Sequence, residues 1–165
     1  MQFLVFSDSH GERRYLLSAL RRNPEIKHVI FLGDGLSDIE ALRESHPSLH
    51  IRAVRGNCDG IALAYPDEDS FTLYGTTVFL CHGHTLSVKG GLDRAIYRAR
   101  EAGAKLLLFG HTHEKAEVYL PDLELHVCNP GSIGRPRAGD PSFAILDILP
   151  DGSLSISHGS VSRSL

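Results

Sequence analysis

The chain has 165 residues, and its 17 Lys plus Arg stand against 20 Asp plus Glu, a formal charge of −3. That length suits one domain with a sizeable core, and 42% hydrophobic with 22% charged residues is ordinary globular usage that excludes global disorder. No apolar run approaches the ~20 residues that span a bilayer, no basic stripe marks a dedicated nucleic-acid binder, and the start MQFLVFSDSH lacks the pattern of a signal peptide. The expectation is a single domain over residues 1–165, soluble and cytoplasmic, with no membrane partner.

In chain order, Gln2–Phe6 is a short apolar strand running into Ser7-Asp8-Ser9-His10-Gly11. Glu12–Arg22 has helical spacing of Leu16, Leu17 and Leu20. Val29–Leu32 is a second strand, ending at Gly33-Asp34-Gly35, after which Ser37 with Glu40 three residues on predicts a capping box. His50–Val54 is a third strand, ending at Gly56-Asn57-Cys58-Asp59; Ile61–Ser70 reads as a loop. Ser70–Leu73 and Thr77–Cys81 form a hairpin around Tyr74–Thr76. Leu92–Ala102 is a helix closed by Gly103, and Lys105–Phe109 is a strand entering Gly110-His111-Thr112-His113. Glu117–Leu120, Leu125–Val127, Phe143–Ile148 and Leu154–Ser157 are strands joined by Pro/Gly turns, with Asn129-Pro130-Gly131-Ser132 read mainly as a turn. The order predicts an α/β protein with either one mixed sheet or two packed sheets.

Ten histidines and three cysteines frame the chemistry. An odd cysteine count without CxxC spacing argues against a disulfide framework or a four-cysteine zinc site, and Cys81 and Cys128 read as core residues. Five apolar strands end alike, in a small residue and a metal-competent side chain: Asp8-x-His10, Gly33-Asp34, Gly56-Asn57, His82-Gly83 and Gly110-His111-Thr112-His113. Ligands of open α/β sheets bind outside the carboxyl ends of strands. If these strands are neighbours, three oxygen donors (Asp8, Asp34, Asn57) and four imidazoles (His10, His82, His111, His113) converge. Nitrogen and oxygen without thiolate suit Mn, Fe, Zn, Co or Ni. Seven donors exceed what one catalytic ion needs and suit two, the arrangement of many phosphatases and nucleases.

The ordered set DxH, GD, GNxD, HG and GHTH resembles the calcineurin-like metallophosphoesterase superfamily, in its small one-domain bacterial and archaeal phosphodiesterase branch. The resemblance implies a four-layer αββα sandwich, two mixed β-sheets flanked by helices. It implies that Asp8, His10 and His113 hold one divalent ion, that Asn57, His82 and His111 hold the other, and that Asp34 bridges them, with Mn the first choice of metal. A water or hydroxide between the ions would attack phosphorus in line. The implied substrate is a small phosphate ester, more readily a diester, with nucleic-acid fragments or cyclic nucleotides as possible small substrates. A catalytically silent interaction module, like the retromer-type scaffold subunit that shares this fold, and a nuclease are the alternatives. A homo-oligomer is a fair default.

One residue departs from the pattern. Larger members carry GNH, whose His is thought to protonate the leaving group; here Cys58 stands there, followed by Asp59. A thiol near pKa ~8.5 is a poorer acid at pH 7 than an imidazolium near ~6.5, so the expectation is a bias toward activated or aryl esters. Asn57, Cys58, Asp59 and His84 are the catalytic candidates, with Asn57 and Arg135 as candidate phosphate contacts. His28, His46, His50, His126 and His158 have no motif context.

Overall fold

A computed structural model describes residues 1–60 and 64–164. Its elements are β1 (Gln2–Phe6), α1 (Arg13–Arg22), β2 (His28–Phe31), α2 (Leu36–Ser45), β3 (His50–Ala53), β4 (Glu68–Leu73), β5 (Thr76–Cys81), α3 (Asp93–Glu101), β6 (Leu106–Leu108), β7 (Lys115–Leu120), β8 (Leu125–Pro130), β9 (Ser142–Ile148) and β10 (Leu154–Ser160), with a short 3-10 turn at Pro121–Leu123. One sheet has the order β10-β9-β1-β2-β3 and the other β4-β5-β6-β8-β7. β1, β2 and β3 run parallel, as do β5, β6 and β8, while the flanking strands pair antiparallel.

The layering follows from alternation along each buried strand. Leu4, Phe6, Val29 and Phe31 face α1 and α2, meeting Leu16, Ile39 and Leu42. Their neighbours Phe3, Val5, Ile30 and Leu32 point the other way, onto Val78, Leu80, Leu106 and Leu108 of the second sheet. Phe79, Cys81, Leu107 and Val127 complete the outer side of that sheet and pack on Ala95 and Ala99 of α3. The result is a sandwich of two mixed five-stranded sheets flanked by helices, as the resemblance implied. Each fully buried Leu or Phe contributes about 1.5–3 kcal/mol through burial. Cys81 and Cys128 are core residues, and Cys58 is exposed.

Gly103 closes α3 as read from the sequence. It adopts φ 66°, its N–H donates to Arg100 O, and Ala104 N–H donates to Ala99 O, the two bonds of a Schellman motif. The hairpin turn is also where the sequence places it, with Tyr74 and Gly75 both at positive φ.

Three local readings change. The Ile61–Ser70 loop is shorter than expected, because β4 begins at Glu68 and pairs with β5 from Glu68↔Cys81 onward; positions 61–63 lie outside the described residues. The Ser37 capping box does not form: α2 starts at Leu36 behind Gly35, and no side chain of its own caps it. The Asn129-Pro130 pair ends a strand rather than making a turn, with Ala116↔Asn129 and Lys115↔Pro130 in register. Proline is tolerated at such an end, and the turn falls on Gly131 at φ 78°.

This topology puts the C-terminal ends of both parallel sets at one rim. At the opposite end of the sheet, Phe3, His28 and His50 lie side by side across β1, β2 and β3 and line a groove of about 540 Å³ with Arg52 and Phe71.

Candidate metal centre

The rim is built from five strand ends. Asp8 and His10 follow β1, Asp34 follows β2, Asn57 follows β3, His82 follows β5, and His111 and His113 follow β6. The structure brings all seven together. Asp8, His10 and His113 form one group, Asp34, His82 and His111 a second, and His10, Asp34 and Cys58 a third that overlaps both, the donor atoms within each lying no more than 4.8 Å apart.

The contacts inside these groups are between donor atoms. His10 Nε2 lies 3.2 Å from His113 Nε2, and His82 Nε2 lies 3.2 Å from both His111 Nδ1 and Asn57 Oδ1. Asp8 Oδ1 is 3.1 Å from His113 Nε2 and 3.8 Å from His10 Nε2. Asp34 Oδ2 stands between the groups, 3.5 Å from His82 Nε2 and 3.8 Å from His10 Nε2.

Surrounding groups fix how these atoms point. His82 Nδ1 donates to Leu32 O at 2.6 Å and His113 Nδ1 to Arg135 O at 2.6 Å, which leaves each Nε2 as the free lone pair. Asp8 Oδ2 accepts from Ser7 Oγ at 2.5 Å and from the His111 amide at 3.1 Å. Asp34 Oδ1 accepts from the Cys58 amide at 2.7 Å. Asn129 ties its side-chain amide to Gly110 O and Thr112 Oγ1, shaping the loop that bears His111 and His113.

The backbone here is strained. Asp8, His10, Asp34, His111 and His113 have φ of 56°, 47°, 60°, 68° and 60°, five of the eight non-glycine residues at positive φ among those described. Each such residue costs about 1–3 kcal/mol and persists only where the surroundings over-determine it. Glycines permit the close approach of the loops: a Cβ on Gly33 would meet Gly56 N at 2.6 Å, and one on Gly56 would meet Asp34 Oδ1 at 2.1 Å.

Titration reflects the crowding. Burial opposes a charge on His82, yet the Asp34 and Asp8 carboxylates facing its Nε2 outweigh it and raise its pKa. The same contact outweighs burial at Asp34 and holds that carboxyl well below the usual range. Burial, then the neighbouring His82, lowers His111 to about 4. Burial also lowers His10. Asp8 raises His113.

The other candidates sit around this cluster. Asp59 gives both carboxylate oxygens to backbone amides of the two loops. Cys58 is exposed next to Asn57, and partial desolvation followed by Asp34 pushes its thiol up to about 11. The His84 ring lies 5.4 Å from that of His82 and 6.3 Å from that of His111, and its buried Nδ1 has no hydrogen-bond partner among the described residues. The Arg135 guanidinium reaches the His10 carbonyl at 3.5 Å. Ser132, in the segment that the resemblance places near the cleft, donates to Asp8 O. Sequence reasoning missed two other supports: Ser7 on Asp8, and Asp38 accepting from Ser9 Oγ and the Gly11 amide. Their only signal in the sequence is adjacency to a motif or a polar residue opening a helix.

The donor set fits divalent cations. Asp8 Oδ1 is fully buried and lacks a directed hydrogen-bond partner, a costly state for a carboxylate oxygen unless a cation takes it. Donors around a cation about 2.1 Å away stand roughly 3.0–3.4 Å apart, the spacing of the nitrogen pairs here.

The family model of the calcineurin-like phosphoesterase superfamily domain matches residues 1–151. The chain is 38% identical over 157 residues to a probable metallophosphoesterase, YsnB, of Bacillus subtilis strain 168, covering 93% of this chain and 88% of that one. Among solved structures it is similar to a conserved uncharacterised protein, a predicted phosphoesterase, of Streptococcus pneumoniae TIGR4, with TM-score 0.77, 26% identity and coverage of 99% and 94%. It shares its fold with zinc-complexed Vps29 of Entamoeba histolytica, with TM-score 0.73, 22% identity and coverage of 97% and 99%. With this match along nearly its whole length and three overlapping groups of candidate metal ligands at its rim, the chain belongs to the calcineurin-like phosphoesterase superfamily.

Proposed function

We propose that this chain is a metal-dependent phosphodiesterase that uses two divalent cations, Mn first among them, to hydrolyse small phosphate esters. The observation that supports it is the convergence of seven nitrogen and oxygen donors around a buried Asp8 carboxylate oxygen that accepts no directed hydrogen bond among the described residues. Asp8, His10 and His113 would hold one cation and Asn57, His82 and His111 the other, with Asp34 shared. When bound, the pair supplies a nucleophilic water at neutral pH and offsets charge on the phosphoryl oxygens.

The chain's own groups do the remainder. Leu32 O and Arg135 O accept from Nδ1 of His82 and His113, so each Nε2 is directed at the site where a cation would sit. Asn57 and the Arg135 guanidinium would contact a phosphate oxygen. The neutral Cys58 thiol at the mouth offers a weak proton donor to the leaving group.

The scaffold reading has support from the shared Vps29 fold. The experiment that separates the two is removal of metal with a chelator, then assay of a chromogenic aryl diester and monoester with Mn, Ni, Co, Zn or Mg added back. Restored turnover supports the enzyme, with faster diester cleavage supporting the diesterase assignment. Silence with every ion supports the scaffold.

A further inference from the structure

We propose that Asp59 is a positioning residue that clamps together the two glycine loops carrying Asp34 and Asn57, and so sets the oxygen half of the metal centre. One carboxylate accepts four backbone N–H bonds. Oδ2 takes the amides of Asp34 and Gly56, each at 2.8 Å, and Oδ1 takes those of Gly35 at 2.8 Å and Leu36 at 2.9 Å. The partners come from both loops, one after β2 and one after β3.

Three further features make the clamp necessary. Gly33, Asp34 and Gly35 have φ of 94°, 60° and 150°, a run that secondary structure does not sustain. The Gly35 and Leu36 amides are the leading N–H groups of α2, which has no side-chain cap of its own; Asp59 supplies the anion that a helix N-terminus favours. The loops touch at Gly33 and Gly56 with no room for a Cβ, so any drift of one moves the other. The result is transmitted to Asp34: with its backbone held by Asp59 and its Oδ1 on the Cys58 amide, Oδ2 is left facing His10 and His82. Asp59 is two positions from Asn57, yet its oxygens are spent on the loops and not on the donor cluster.

The inference rests on the phosphoesterase reading only for what the loops carry, and the test keeps the two apart. Asp59→Asn and Asp59→Glu are compared with wild type by titrating metal-free protein with Co2+, following affinity and the visible absorption of the bound ion, alongside circular dichroism and thermal unfolding without metal. An amide in place of the carboxylate turns an NH2 toward two N–H donors. The expected result for Asp59→Asn is a loss of about 10–100-fold in Co2+ affinity and an altered cobalt spectrum at saturation, with partial recovery in Asp59→Glu. A residue of merely structural importance would lower the unfolding temperature but leave the saturated spectrum unchanged; that outcome, in a folded variant, overturns the proposal. If neither variant folds, or wild type binds no cobalt, amide hydrogen exchange on metal-free wild type decides. The amides of Asp34, Gly35, Leu36 and Gly56 are expected to be protected together, and exchange at the rate of open loop amides overturns the clamp. Absence of cobalt binding by wild type counts against the phosphoesterase reading.

Discussion

The Nε2 atoms of His10 and His113, 103 residues apart in the chain, face each other across 3.2 Å. His113 Nδ1 is engaged by Arg135 O, so its Nε2 presents a lone pair toward the second ring. Two imidazoles aimed at one point call for a cation there. His113→Ala removes one donor while leaving a half-exposed position at the surface. The expected result is metal affinity at least about tenfold weaker with a preserved fold, measured by calorimetric titration with Mn2+; unchanged affinity would remove His113 from the site.

A cation that binds the folded chain and not the unfolded one raises stability by about 2.7 kcal/mol at one hundred times its dissociation constant. In a chain of this size that corresponds to about 5–11 °C in unfolding temperature. Scanning calorimetry of metal-free protein with and without Mn2+ measures it. A rise from Mn2+ that is absent in an Asp8→Ala, Asp34→Ala double variant locates the binding at the rim.

The metal-free protein has opposing pH dependences. His111 has a folded pKa of about 4 against about 6.5 unfolded, so between these values the unfolded chain takes a proton that the folded chain refuses. Its effect is a loss of stability as pH falls from about 6.5 toward about 4. His82 and His113 are raised; the stability they contribute is fully present below their unfolded pKa and is lost as pH rises through their folded values. His111→Asn is therefore expected to lose less unfolding temperature than wild type on acidification from about pH 6.5 to about 4.5. Parallel curves for the two proteins would contradict this.

In the proposed reaction Cys58 would set leaving-group preference. Its thiol, at about 11, is a weak acid at neutral pH, and aryl leaving groups need little protonation. Cys58→His is expected to raise turnover of an alkyl phosphate ester relative to an aryl one by about tenfold or more, within the range of general acid catalysis. An unchanged alkyl-to-aryl ratio rejects the explanation.

Two glycines make a matched comparison. Gly56→Ala places a methyl 2.1 Å from Asp34 Oδ1 and is expected to cost about 1–3 kcal/mol and to abolish metal binding. Gly75→Ala meets no atom within 4 Å but keeps a φ of 78°, so it is expected to cost about 1 kcal/mol of backbone strain with metal binding intact. Denaturant unfolding and metal titration of both variants test this.

Much of the architecture was legible because its signals are local. The unbroken apolar runs Leu4–Phe6 and Val29–Leu32 mark buried strands, and Gly103 and Tyr74-Gly75 mark an end and a turn by backbone chemistry alone. Which residues meet at the rim was legible through the common form of five strand endings. What was hidden depends on contacts between distant segments. The Ser37 capping box failed because α2 starts one residue earlier, behind Gly35, where the distant Asp59 takes the Gly35 and Leu36 amides and leaves Ser37 inside the helix. Asn129-Pro130 looked like a turn because no window of sequence shows β7 lying alongside. Asp59 itself resembled a chemical participant, since a carboxylate that receives four amides looks in one dimension like any acid beside a motif.

The donors at the rim are divided between the two halves of the sandwich: Asp8, His10, Asp34 and Asn57 hang from one sheet, His82, His111 and His113 from the other. A cation shared among them is a rivet through the seam. Chain closure and cation capture then become one cooperative event, and depletion of the ion should let the seam gape first at this end, ahead of the helices that clad the outside.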